Sequence, residues 1–230
     1  MNTSEFGRRI VSDRRLWREL VTAKRLFVLS SVLPPVFYYG GRKHVKFPAT
    51  ISFTIRKGVP RFVHHVLWIA GWYKMSKVVR GAGNRLTKLF ASQMFATGIT
   101  SVVLCPLGKS ETRNRIHAIT AAMYMLDHFV LFDLFKTPRN FRVAFVASFL
   151  FFCYFLKRVK EFNKKHRLAA EGDDDSDVAR RQKRIRALNK THRNSLFISE
   201  LFVMICENSM FLSFTGGMTK GLVSRSGLWW

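Results

Sequence analysis

Within the apolar stretch 116–135, His117, Tyr124 and His128 are spaced by seven and four residues, which places them on one face of a helix. Asp127 lies beside that face. In a second apolar stretch, 195–215, Glu200, Met204, Glu207 and Phe211 share a face by the same spacing, with Asn208 next to it. An imidazole near a carboxylate exchanges protons close to neutral pH and also forms a strong hydrogen-bonded pair. The two stripes therefore read in two ways, as glue between helices or as a polar cavity that binds a lipid headgroup or does acid-base chemistry. Glue contributes about 0.6 kcal/mol per hydrogen bond and at most about 2, whereas an unpaired charge at membrane depth costs about 2.5–3.5 kcal/mol. Both stripes are thus expected to turn inward and to converge. The histidine spacing forms no H-E-x-x-H, and no P-loop, dinucleotide fingerprint or G-x-S-x-G elbow occurs. No metal or cofactor is expected, and no residue is assigned a catalytic role.

The elements that must carry these residues follow from composition. Of 230 residues, 48% are apolar and 22 are phenylalanine, yet the formal charge is +25. Such basicity first points to nucleic acid. The basic residues, however, fill gaps between apolar blocks, the pattern of a membrane protein with basic loops, so nucleic acid is not expected as a partner. The blocks are 26–40, 62–73, 89–107, 116–135, 143–156 and 195–215. They predict an all-α polytopic membrane protein, a six-helix transmembrane bundle, or five helices if the short 62–73 block is dropped. Pro34-Pro35 is expected to break or kink the first span. His64-His65 reads as a helix entrance at the membrane interface. Cys105, Cys153 and Cys206 lie inside apolar blocks and read as small core hydrophobes. Gly81-Ala82-Gly83 reads as a flexible turn.

Charge divides the chain into a basic cytosolic arm (1–25), a transmembrane domain (26–215) and a tail (216–230). The first span is expected to stay as a signal anchor, because no A-x-A-like cleavage site follows it. Segment 157–194 runs basic, acidic (Asp173, Asp174, Asp175, Asp177), then basic again, and is expected to be a mobile loop or an anionic-lipid contact. A cytosolic N-terminus with six spans puts 17 Lys and Arg on the cytosolic side and 22 opposite, 13 of the latter in 157–194 alone. Without that segment the bias runs in the expected direction.

Between the first two blocks, "FPATISFTIRKGVPRF" alternates apolar and hydroxyl residues at a strand period, bracketed by Pro48 and Pro60. Pro48, Ile51-Ser52, Ile55, Val59-Pro60 and Arg61 resemble the first extracytoplasmic loop of the Frag/DRAM/Sfk membrane family. Two further stretches resemble it, "GKSETRNRIHAITAAMYMLDHFVLF" and "SLFISELFVMICENSMFLSFT" with its Glu200-Leu201-Phe202 step. The likeness is greatest to the post-GPI-attachment-to-proteins factor branch. It implies a six-helix, multi-pass protein of the Golgi or endoplasmic reticulum that takes part in remodelling GPI-anchor lipids. It further implies a luminal loop motif of Pro48, Ser52, Pro60 and Arg61, with membrane lipids and GPI-anchored proteins as partners. Enzyme and accessory factor both fit. Two other readings are a membrane-organising or autophagy-linked protein of the same family without chemistry, and a basic structural subunit of an organellar membrane complex.

Overall fold

A computed structural model describes residues 3–40, 54–55, 58–103, 111–169, 191, 194–209 and 213. The chain is all-helical, with no strand among the described residues. Its helices are α1 (Thr3–Ser12), α2 (Arg14–Gly40), α3 (Gly58–Ala82), α4 (Arg85–Val103), α5 (Glu111–Leu134), α6 (Arg139–Ala169) and α7 (194–209).

Local chemistry sets the corners. Asp13 separates α1 from α2, its Oδ1 accepting from the N–H groups of Arg15 at 2.8 Å and Leu16 at 3.2 Å, a helix N-cap. Asn84 does the same for α4 through the N–H of Thr87 at 3.1 Å. After α5 the backbone turns through Lys136 at φ 49°. Arg142 fastens this corner by donating to the carbonyls of Thr137 and Phe132, both at 2.8 Å, and to Asp133 Oδ1 at 2.6 Å.

Neighbours in sequence pack in space, α2 on α3, α3 on α4 and α4 on α5. Their core is aromatic, with Phe27 meeting Trp72 at 4.9 Å between ring centroids and Trp68 and Trp72 flanking Tyr124 at 5.7 and 5.4 Å. Two glycines permit this approach. A Cβ on Gly71 would sit 2.9 Å from the Phe27 ring, and one on Gly98 3.0 Å from the Trp72 indole. Near the start of α2, Glu19 pairs with Lys74 of α3 at 2.7 Å.

Several expectations change. The basic arm carries α1 and the start of α2: α1 packs on the bundle, Phe6 and Ile10 are fully buried, and Phe6 meets Phe135 edge-on at 5.4 Å. The weak block 62–73 belongs to the 25-residue α3, roughly 37 Å at 1.5 Å per residue. It extends because Met75, Val78 and Val79 are buried beyond the apolar block. The α6 helix runs to Ala169, so the first part of segment 157–194 is helix, with Lys157 and Glu161 one turn apart at 3.7 Å. Residues 170–190 lie outside the described residues. Thr54 and Ile55 form a buried turn where alternation predicts strand, and residues 51–53 lie outside the described residues. Pro48 and Ser52 lie outside the described residues, while Pro60 and Arg61 sit in the first turn of α3. Gly81 is inside α3 and only Gly83 lies at the bend. Cys153 faces outward, because α6 turns one whole face away from the bundle, whereas Cys206 of α7 is half-buried and packs against the core as expected; Cys105 lies outside the described residues. Finally, α2 passes through Pro34 and Pro35 as one helix, for a reason given below.

Among the described residues, two helices, Arg14–Gly40 and Arg139–Arg158, are long and apolar enough to cross a membrane.

Candidate functional site: a polar cavity among the helices

The α5 and α7 stripes meet at Glu207. Its Oε1 accepts the hydroxyl hydrogen of Tyr124, and Nε2 of His128 lies 3.0 Å from the same oxygen. Nδ1 of His128 is 2.8 Å from the carbonyl oxygen of Tyr124. A carbonyl can only accept, so Nδ1 carries hydrogen. The remaining contact is then an imidazolium with a carboxylate, or a neutral imidazole with a carboxylic acid. Either way a single proton serves both groups. The His128 ring is fully buried, stacked on Phe145 at 5.1 Å, which holds it to this geometry.

Beside this cluster lies a cavity of about 230 Å³. Its polar wall comprises Ser30 and Ser31 of α2, His64 of α3, Ser101 of α4, His117 and Tyr124 of α5, and Glu200 and Glu207 of α7. Ile55 lines it from the α2–α3 connection and Phe152 from α6. His117 and Glu200 thus share one cavity with Tyr124 and Glu207.

Two predicted residues stand apart. Asp127 is buried but turned to α4, where Gln93 Nε2 donates to Oδ1 and Thr97 Oγ1 to Oδ2, both at 2.7 Å. Asn208 donates from Nδ2 to Ser31 Oγ at 3.0 Å and to the Met204 carbonyl at 2.9 Å, tying α7 to α2. Pro60 and Arg61 are not among the residues that line the cavity.

The residue that sequence reasoning missed is His64. It is buried, at 7% exposure, in the second turn of α3. Its Nδ1 lies 2.8 Å from the Ser30 carbonyl. That carbonyl is four residues before Pro34, which has no N–H to offer it. His64 replaces the lost helix bond, and this explains how α2 continues through the proline pair. The signal was present as Pro34 in one apolar block and a His64-Trp68-Trp72 stripe, four residues apart, in the next.

Among the described residues no three His, Cys, Asp or Glu side chains group as metal ligands. No protein-family model, curated protein or solved structure matches the chain. The likeness to the Frag/DRAM/Sfk family therefore rests on the residues quoted above. Chemically, the cavity offers a phenol, two carboxyl groups and two imidazoles on a largely apolar wall, an arrangement suited to hydrogen-bonding a polar group and to moving a proton.

Proposed function

We propose that the chain is a six-helix integral membrane protein of the Golgi or endoplasmic reticulum, spanning with α2 to α7. In this reading its cavity holds the polar part of a lipid during remodelling of GPI anchors. The observation that carries the membrane reading is the inverted distribution of polarity. On α5, Ile119 and Leu126 are 60% and 63% exposed while Asp127 and His128 are 3% and 0% exposed. Exposed apolar side chains continue along α2, α6 and α7, among them Val36, Phe37, Leu150, Phe151, Phe202 and Ile205. A helix facing water presents the opposite pattern, and an apolar surface of this extent marks contact with lipid or partner. A buried Tyr-Glu-His cluster is then the intramembrane polar group expected at a functional site. The GPI step is supported by the residue resemblance, and the cavity is consistent with either an enzyme or an accessory factor.

The test is the anchor lipid itself. In a deletion strain, mass analysis of GPI-anchor lipids is expected to show an unremodelled species. A Glu200→Gln protein, which keeps volume and removes charge, is expected to accumulate without restoring remodelling. Unchanged anchor lipids on deletion would refute the GPI reading and leave a membrane-organising role. Six spans place both termini in the cytosol and the sequon Asn189-Lys190-Thr191 in the lumen. Protease protection of a tag inserted at Asp174 checks that topology, since a tag cleaved from the cytosol means five spans.

A further inference from the structure

His64 presents a fixed chemical face to the cavity. Because the Ser30 carbonyl only accepts, Nδ1 of His64 is the protonated nitrogen and Nε2 of the neutral ring carries the lone pair. The ring cannot readily turn over. It stacks on Trp68 at 5.4 Å and 29°, and Trp68 is itself held by donation from Nε1 to the Gly98 carbonyl at 3.0 Å. Nε2 makes no hydrogen bond among the described residues, and His64 forms part of the cavity wall. The free end of this histidine is thus a hydrogen-bond acceptor.

The rest of the wall selects in the same direction. The chain holds 39 Lys and Arg, yet none lines the cavity among the described residues, while two carboxyl side chains, Glu200 and Glu207, do. A phosphate is recognised by cationic donors. Here it would meet acceptors and carboxylates in a setting that screens repulsion poorly. A hydroxyl carries the donor that Nε2 lacks. At about 230 Å³ the cavity is also smaller than the roughly 300–1,000 Å³ of sites that enclose a whole drug-sized ligand, so it admits a fragment of a lipid.

We propose that the cavity takes the hydroxyl-bearing, phosphate-free portion of a lipid headgroup, with the hydroxyl donating to Nε2 of His64. The proposal rests on the reading that the cavity receives part of a lipid, and adds which part and through which atom.

The experiment uses the full chain in nanodiscs with two probes, dioctanoylglycerol, which has a free hydroxyl and no phosphate, and dioctanoyl phosphatidic acid. Binding is measured by titration, and the bond itself by the Nε2 resonance of His64 in nitrogen-15 histidine-labelled protein. Dioctanoylglycerol is expected to bind and to move that resonance, with phosphatidic acid about tenfold weaker or worse. In His64→Asn the amide nitrogen takes the place of Nδ1 toward Ser30, and nothing replaces Nε2. Its affinity for dioctanoylglycerol should fall about fivefold to tenfold, the loss of one hydrogen bond. Should His64→Asn not fold, the selectivity of the unaltered protein between the two probes still decides. Equal binding of both probes, an unmoved Nε2 resonance, or undiminished binding by a folded His64→Asn would each overturn the assignment. If neither probe binds, the lipid reading of the cavity falls and this proposal with it. Binding of dioctanoylglycerol without the His64 signature removes this proposal alone.

Discussion

Asp127 and Glu207 are both buried carboxylates on facing helices, and their oxygens meet different kinds of partner. Asp127 receives hydrogen from the Gln93 amide and the Thr97 hydroxyl, one on each oxygen. Neither donor titrates in any accessible range, so the group is saturated and fastens α5 to α4. Glu207 places Tyr124 and His128 on a single oxygen and borders the cavity. Glu207 and His128 share a proton that either can hold. Asp127 and His128 are adjacent in sequence, yet the 100° step of a helix sends one to a structural joint and the other to the cavity cluster. Burial of a charged side chain by itself therefore does not mark a site; the chemistry of its partners does.

Breaking the joint should have the largest effect on the protein. Asp127→Leu strands the half-buried Gln93 amide at about 1–3 kcal/mol, while the Thr97 hydroxyl keeps the Gln93 and Met94 carbonyls as acceptors. The melting temperature in detergent is expected to fall by about 2–12 °C, at roughly 2–4 °C per kcal/mol for a chain of this size. Lipid binding by the protein that remains folded should not change. An unshifted melting temperature would remove the distinction between the two carboxylates.

Glu207→Gln tests the other half. The glutamine oxygen can still accept from Tyr124 at the shared position while His128 loses one hydrogen bond, so stability should fall by about 1 kcal/mol. Anchor remodelling by the variant in a deletion strain should drop by about tenfold or more, since the proton shared with His128 is gone. A collapse in stability with activity per folded molecule intact would make Glu207 a second fastener. Tyr124→Phe sharpens the comparison further: removing one interhelical hydrogen bond should cost about 0.6 kcal/mol and at most about 1.7, read as a small melting shift. The smallest change is expected from Ser31→Ala. Asn208 there keeps its bond to the Met204 carbonyl, and the thermal shift should correspond to no more than about 0.6 kcal/mol. A larger loss would mean that the α2–α7 tie, not the α4–α5 joint, anchors the cavity.

The convergence of Tyr124 and His128 on Glu207 was legible because both stripes obey helical periodicity and each carries ionisable groups inside an apolar stretch. The role of Asp127 was not, since its partners Gln93 and Thr97 bear no charge to reveal them. His64 was hidden for a different reason. Its partner is a backbone carbonyl released by Pro34 on another helix, and sequence shows a proline as a breaker without showing who replaces the missing bond. Element lengths were underestimated wherever a helix outlasts its apolar block. Such ends persist because one face still packs, as Val78 and Val79 do in α3, or because solvated good helix formers continue the turn, as in α6 beyond Leu156. The N-terminal arm read as charge alone, although Phe6 and Ile10, four residues apart, already formed an apolar edge.

That edge bears on how the protein is made. Phe6 packs on Phe135, so α1 docks on a side chain synthesised about 130 residues later, after roughly 6 to 26 seconds at 5–20 residues per second. During that interval α1 can pack only on α2 and α3. Its Phe6 edge toward α5 stays uncovered while four further helices are produced. Closure of α1 against α5 is then a late event in biogenesis, and chains truncated before Phe135 would display that edge to cellular quality control.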